Sequence, residues 1–139
     1  MIYLAGSLRQ TRVTEVGNLL REAGFDPFDD WQAGGPIADD SWQSYEESRG
    51  RTYQQALQGY AAKHVFEYDL FHLNRCEAGV LVLPAGRSAH LEIGFLAGQG
   101  KPTFTLFDEI PERWDVMYQF TTPCFSYEEL VRNLRRRLG

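Results

Sequence analysis

Cysteine and histidine are scarce in this chain. Only two cysteines, Cys76 and Cys124, occur in 139 residues. Their number and spacing fit neither a disulfide-bonded secreted scaffold nor a set of metal ligands. We therefore expect two buried free thiols without a chemical role. Among the three histidines, His64 and His72 also lack metal-ligand spacing, so we expect no metal and no other cofactor.

Long apolar runs and an excess of positive charge are also lacking. No apolar stretch is long enough to cross a bilayer, and Met1 leads directly into IYLAG and then polar residues rather than into a signal peptide. We therefore expect a soluble, cytoplasmic protein with no membrane partner. The formal net charge of -5 argues against a nucleic acid polymer as partner. A local cluster of arginines can still hold a single phosphate.

Short apolar runs alternate with helical patterns along a chain whose length suits one domain, residues 1–139. The apolar runs predict four strands, at MIYLAG, FDPF, GVLVLP and PTFTLF, and a short fifth strand at PCF. Residues 41–76 are predicted to be helical, with a break near Gly59 or His64. Because GVLVLP is apolar throughout, it is typical of a central parallel strand. The pattern predicts an α/β, doubly wound (flavodoxin-like or Rossmann-like) fold: a parallel sheet of about five strands flanked by helices.

The segment between Arg87 and Lys101 has the composition of an enclosed helix, yet it contains the carboxylate Glu92. In an open parallel sheet, ligands bind beyond the carboxyl ends of the strands, where the loop before this helix lies. We place Glu92 in about the first helical turn, where the helix dipole favours its ionised form although burial opposes it. Such a carboxylate can act as a nucleophile. It can equally satisfy a basic neighbour or cap backbone donors, and the pattern alone leaves both interpretations open.

Three segments, IYLAGS, FEYDLFHLNRCEAGVLVLP and GRSAHLEIGFLAGQGKPT, resemble the nucleoside 2-deoxyribosyltransferase family, including its relatives that hydrolyse nucleoside 5'-monophosphates. The resemblance covers most of the chain and is weakest over residues 32–63 and 108–125. It implies an enzyme that cleaves or transfers the N-glycosidic bond of a 2-deoxyribosyl group through a glutamyl glycosyl-enzyme intermediate. It also implies a small-molecule nucleoside or nucleotide substrate.

The resemblance assigns roles to individual residues. Glu92, in LEIG, matches the nucleophilic glutamate of the family, and Asp69, in YDLF, matches the aspartate that positions the sugar and handles protons. Tyr3 matches a tyrosine that reaches the pocket from the first strand. Because cleavage of an N-glycoside develops positive charge on the sugar and needs a protonated leaving base, two neighbouring carboxylates suit the chemistry.

Other residues bear on the substrate. GSLRQTR, which begins at Gly6, resembles the loop of the monophosphate-hydrolysing branch. It predicts a phosphate site formed by Arg9 and Arg12 with the hydroxyls of Ser7 and Ser88. Arginines on a solvated helix face explain the pattern equally well. Trp31 is our candidate for stacking on the base. Where the transferases have an acidic residue that recognises the base, this chain has Gly86. For His90 we expect a structural or substrate-edge role.

The resemblance further implies a homodimer or higher homo-oligomer, in which a neighbouring subunit completes the pocket. The segment DVM, with Asp115 and Met117, is the nearest match to the segment that the transferases contribute in this way, although an amide there is replaced by an acid. Two other functions stay open: a non-catalytic nucleotide-binding sensor, and a hydrolase of another N-riboside such as a dinucleotide.

Overall fold

The computed structural model describes all residues 1–139. Five strands form one parallel sheet in the order β2-β1-β3-β4-β5. These strands are β1 (Ile2–Ala5), β2 (Pro27–Phe28), β3 (Ala78–Val82), β4 (Thr103–Leu106) and β5 (Thr122–Cys124). The predicted α/β fold is confirmed, and β3, which is buried along its whole length, lies at the centre of the sheet. Both neighbours of β3 pair with it in parallel.

Six α-helices flank the sheet: α1 (Arg12–Glu22), α2 (Ala38–Ser48), α3 (Tyr53–Leu57), α4 (Tyr60–Arg75), α5 (Arg87–Gly98) and α6 (Tyr127–Leu138). Two short 3-10 helices span Asp30–Gly34 and Val116–Phe120. The core has two layers. Side chains of α1 and α6 pack on one face of the sheet, and those of α4 and α5 pack on the other. None of the helices is both long and apolar enough to cross a membrane.

Two of the differences from the predicted element boundaries have a clear local reason. The strand expected over FDPF is only Pro27–Phe28, because Phe25 takes part in the capping motif that follows α1. The Phe25 amide donates to the Leu20 carbonyl at 2.9 Å, and Gly24 adopts a φ of 92°. This arrangement is a Schellman motif, which favours glycine at that position.

The helical region 41–76 contains two breaks where one was expected. The break at Gly59 is confirmed, since Gly59 is the N-cap of α4. The second falls between α2 and α3, where Gly50 has a φ of 72°. Thr52 and Gln55 then form a reciprocal capping box that starts α3. The pattern T-x-x-Q is typical of a helix start, so the sequence contained a signal for this break.

Candidate active site

A hydrogen bond joins Glu92 on α5 to Tyr3 on β1. Tyr3 lies on β1 with its side chain buried among residues of α4 and α5, and its hydroxyl donates a hydrogen bond to Oε2 of Glu92. Glu92 projects from α5, which follows the central strand β3. The hydrogen bond engages one carboxylate oxygen and leaves Oε1 without a side-chain partner. The hydrogen bond therefore holds the carboxylate in place through one oxygen, while the other makes no hydrogen bond.

Burial dominates the electrostatics of Glu92. Desolvation raises its pKa to about 7, the Tyr3 hydrogen bond lowers it, and the charge of Asp69 raises it further. Glu92 is the sixth residue of α5, so it lies in the second turn, beyond the first-turn amides. The helix dipole therefore does little for Glu92, because its effect falls off within the first turn, where we had placed this residue.

Asp69 approaches the same site from α4. It is half-buried, and desolvation raises the pKa of its carboxyl group. The charge of Asp69 also acts on both Tyr3 and Glu92. Burial raises the pKa of the Tyr3 hydroxyl strongly, so Tyr3 stays a proton donor near neutral pH. Two partly buried carboxyl groups with raised pKa values and one hydroxyl donor are thus near enough for their charges to interact, an arrangement common at catalytic sites.

The loop after β1 is shaped by Gly6. A Cβ at this position would collide with the side chain of Val13 on α1 and come within 3.2 Å of the Val82 carbonyl oxygen. The loop then turns so that the Ser7 hydroxyl accepts a hydrogen bond from the Arg9 amide at 3.1 Å. The exposed guanidinium of Arg9 pairs with Asp40 of α2 at 3.1 Å. The predicted phosphate loop therefore lies at the carboxyl end of β1, with its arginine held by an acidic partner.

Arg12 is less available than Arg9. Its Nη2 donates to the Phe107 carbonyl at the end of β4 at 3.4 Å, and its Nε is buried without a partner. This contact ties the start of α1 to the end of β4. Arg12 is thus a structural link within the predicted loop region as well as a candidate phosphate ligand.

Trp31 has a structural role that the sequence did not indicate. Its indole Nε1 donates to the Leu4 carbonyl of β1 at 2.7 Å, and its half-buried ring packs against both layers of the core. The indole nitrogen therefore supports the edge of the sheet beside β1. Stacking on a base stays a prediction.

Gly86 and Ser88 lie at the start of α5. Gly86 is the N-cap, and open space surrounds the position of a Cβ there, so the exposed loop can be approached closely. Its carbonyl contacts Nδ1 of His90 at 2.7 Å. Because a carbonyl only accepts, Nδ1 carries the proton, and Nε2 is left to accept from the Tyr118 hydroxyl at 3.0 Å. His90 therefore connects the start of α5 to the Val116–Phe120 helix, which is a structural contact, and the substrate-edge role stays a prediction.

Met117 lies away from the Glu92 carboxylate of its own chain. It is exposed on the Val116–Phe120 helix and lines a groove of about 240 Å³ together with His90, Gly94 and Asp115. Residues two positions apart on a helix point about 200° apart, so His90 and Glu92 occupy different sides of α5. Asp115 and Met117 therefore lie on the side of α5 opposite to Glu92 of the same chain.

Two ion pairs and the His90–Tyr118 contact were not anticipated. Asp29 is buried beside Arg21, with an Nη2 to Oδ1 distance of 2.6 Å. Buried Glu46 pairs with Arg51 at 3.1 Å. The two cysteines are buried free thiols, as expected. No group of three or more His, Cys, Asp or Glu side chains is arranged to hold a metal ion.

Comparison with known proteins adds no further assignment. No protein-family model matches the chain, and no curated protein matches it either.

Proposed function

We propose that this protein cleaves or transfers the N-glycosidic bond of a 2-deoxyribosyl nucleoside or nucleoside 5'-monophosphate, with Glu92 as nucleophile. The observation that carries the proposal is the buried Glu92 carboxylate held by the Tyr3 hydroxyl beside Asp69. A binding module for an anionic nucleotide gains nothing from two carboxyl groups in its pocket. The resemblance of IYLAGS, YDLF and LEIG to the nucleoside 2-deoxyribosyltransferase family supports the same roles.

The proposed reaction has two steps. In the first, Oε1 of ionised Glu92 attacks the anomeric carbon, the bond from that carbon to the base nitrogen breaks, and the base leaves with the bonding electrons. Asp69 positions the sugar and passes a proton from solvent to the leaving base. In the second step, water or another base attacks the anomeric carbon and releases the Glu92 carboxylate. Tyr3 donates to Oε2 throughout, fixing the orientation of the nucleophile.

Incubation with a panel of nucleosides and their 5'-monophosphates, with and without a free acceptor base, tests this proposal. Chromatography should detect a released or exchanged base with at least one substrate. Tight binding of a nucleotide without any base release would instead identify a sensor. Release of nicotinamide from a dinucleotide alone would identify a hydrolase of another N-riboside.

The pH profile should move in opposite directions in two variants. Because Glu92 must be ionised to attack, kcat/KM should rise with pH through about 7. Tyr3→Phe removes a hydrogen bond that lowers the pKa of Glu92, so this rise should move to higher pH. Asp69→Asn removes a charge that raises the same pKa, so the rise should move to lower pH. Equal or same-direction shifts in the midpoints would contradict the proposed coupling.

Arg9 should distinguish a monophosphate from a free nucleoside. If the loop after β1 binds a phosphate, Arg9→Ala removes a charge-assisted contact of about 1.5–3 kcal/mol, which corresponds to a loss of affinity of roughly 10- to 150-fold for the monophosphate. Nucleoside affinity should barely change. Asp40→Asn is the matched control, because it removes the partner of Arg9 and leaves the cation in place. Equal losses on both substrates in titration calorimetry would refute the phosphate site.

The functional form that we propose is a homo-oligomer. Asp115 and Met117 lie on the far side of α5 from Glu92, so they can contribute to a pocket only in a neighbouring copy. The helical region 38–75 also carries more aromatic side chains than are needed to cover the sheet, and two of them, Tyr53 and Tyr60, are exposed. Burial of such surface against a second copy is a common reason for symmetric pairing.

A further inference from the structure

A stack of aromatic rings connects the sheet to α4. Tyr3 and Phe28 are register partners on the neighbouring parallel strands β1 and β2, so their side chains lie on the same face of the sheet, with ring centroids 5.5 Å apart. The His72 ring of α4 stacks on Phe28, at a centroid distance of 4.0 Å and an interplanar angle of 18°. Phe28 therefore lies between the tyrosine that holds Glu92 and the helix that carries Asp69.

Few other side chains fix α4 in place. Leu73 is the only buried residue among its 16 positions, and Lys101 holds the end of the helix by donating to the Leu73 carbonyl at 2.9 Å. Tyr68 meets the Phe28 ring only at a longer centroid distance, 6.3 Å. The close stack of His72 on Phe28 is therefore the main contact between α4 and the β2 edge of the sheet.

This contact bears on Asp69 because of its position along the helix. His72 lies three residues after Asp69, and residues at this spacing are neighbours on one face of a helix. Desolvation alone raises the pKa of Asp69, and no hydrogen bond to its carboxyl group contributes. Since no hydrogen bond holds this carboxyl group, its place in the site depends on how α4 is packed.

The surroundings of His72 suit packing rather than proton transfer. Its Nδ1 accepts a hydrogen bond from Nε of Arg75 at 3.0 Å, so the ring is neutral and carries its proton on Nε2. Burial and the charge of Arg75 lower the pKa of His72, while the charge of Asp30 opposes them. A neutral ring can stack on Phe28 without the free-energy cost of burying a charge.

We propose that His72 is a positioning residue, which sets the place of Asp69 beside Glu92 through its stack on Phe28. His72 acts only through Asp69 and takes no part in the chemistry itself. This inference rests on the proposed function for the roles of Asp69 and Glu92, but the packing that it describes can be tested without a substrate.

The titration of Glu92 tests the placement of Asp69 independently of catalysis. The charge of Asp69 raises the pKa of Glu92, so displacement of Asp69 should lower that pKa. In protein labelled with ¹³C at the glutamate carboxyl groups, NMR should show a lower titration midpoint for Glu92 in His72→Ala than in the wild type. Glu92→Gln identifies the signal by its loss. In an Asp69→Asn background, His72→Ala should cause no further shift, since the charge through which His72 acts is already absent.

Two other substitutions separate the stack from the hydrogen bond. His72→Phe keeps an aromatic ring and loses the contact with Arg75, so it should restore the midpoint that His72→Ala lowers. His72→Asn keeps an acceptor for Arg75 and loses the ring, so it should match His72→Ala. The control is His64→Ala, the same substitution at an exposed histidine of α4, and it should leave the midpoint unchanged. Circular dichroism verifies that each variant is folded.

Turnover should follow the titration. His72→Ala should lower kcat by about ten- to a hundredfold, because small displacements of a group in the site have effects of this size. In the Asp69→Asn background the same substitution should lower kcat by less than about twofold. His72→Phe should recover most of the turnover that His72→Ala loses.

Three results would overturn the inference. An unchanged Glu92 midpoint in His72→Ala would show that His72 does not place Asp69. An equal shift with and without the Asp69 charge would show that the substitution acts directly on Glu92, for example by admitting water. A His72→Phe protein that behaves like His72→Ala would assign the effect to the Arg75 contact instead of the stack. Failure to release a base from any substrate would refute the proposed chemistry and would leave these titrations unaffected.

Discussion

Glu92→Gln should retain the fold and lose at least about a hundredfold in turnover, the scale expected when a direct participant in the chemistry is removed. Glutamine has nearly the same shape and can still accept the Tyr3 hydrogen bond through its carbonyl oxygen. It is too weak a nucleophile to form the sugar ester. Base release under saturating substrate, followed by chromatography, measures the effect.

The matched control is Glu67→Gln, which changes an exposed carboxylate on α4 two residues from Asp69. Its turnover should stay at the wild-type level. Wild-type turnover in Glu92→Gln would remove Glu92 from the mechanism, and an equal loss in both variants would point to a general electrostatic effect instead.

The same carboxylate should destabilise the folded protein as pH rises. The pKa of Glu92 is raised from 4.5 to about 7 by burial, so the folded state binds its proton more tightly than the unfolded state does. Stability from this group is fully present below pH 4.5 and is lost as pH rises through about 7. The shift corresponds to about 3 kcal/mol at pH 8. Relative to the wild type, Glu92→Gln should therefore become more stable with increasing pH.

Urea unfolding at a series of pH values measures this difference directly. Protein concentration must be held constant, because any association between copies also stabilises the folded state. The gap between Glu92→Gln and the wild type should widen between pH 5 and pH 8. Parallel stability curves would show that Glu92 ionises freely and is not desolvated. The Glu67→Gln control should parallel the wild type throughout.

Much of the fold is contained in local sequence patterns. The uninterrupted apolar run GVLVLP predicted the central strand because parallel strands covered on both faces need no polar alternation, and β3 is buried at every position. The limits of β2 were harder to predict. Phe25 resembles a strand residue, but its amide completes the capping of α1, and capping competes with strand pairing for the same backbone.

The site was only partly accessible from the sequence. The lack of charge around Glu92 correctly indicated burial, because a solvated helix face carries several ionisable side chains. The expected place of Glu92 in about the first turn was one turn too early, since it is the sixth residue of α5. The contact between His90 and Tyr118 joins residues 28 positions apart through an irregular segment, and no periodicity encodes such a contact. The hydrogen bond from Trp31 to the Leu4 carbonyl also joins residues far apart in the chain, so no local pattern indicates it.

Trapping the proposed ester tests the central claim most directly. A 2-fluoro-2-deoxy nucleoside analogue, or its 5'-monophosphate, destabilises positive charge on the sugar, so it slows the release of the sugar from the enzyme. Peptide mass spectrometry after incubation should find the fluorinated sugar attached to Glu92, and Glu92→Gln should remain unlabelled. Attachment to another residue, or base release from the natural substrate by the Glu92→Gln variant at the wild-type rate, would contradict the account.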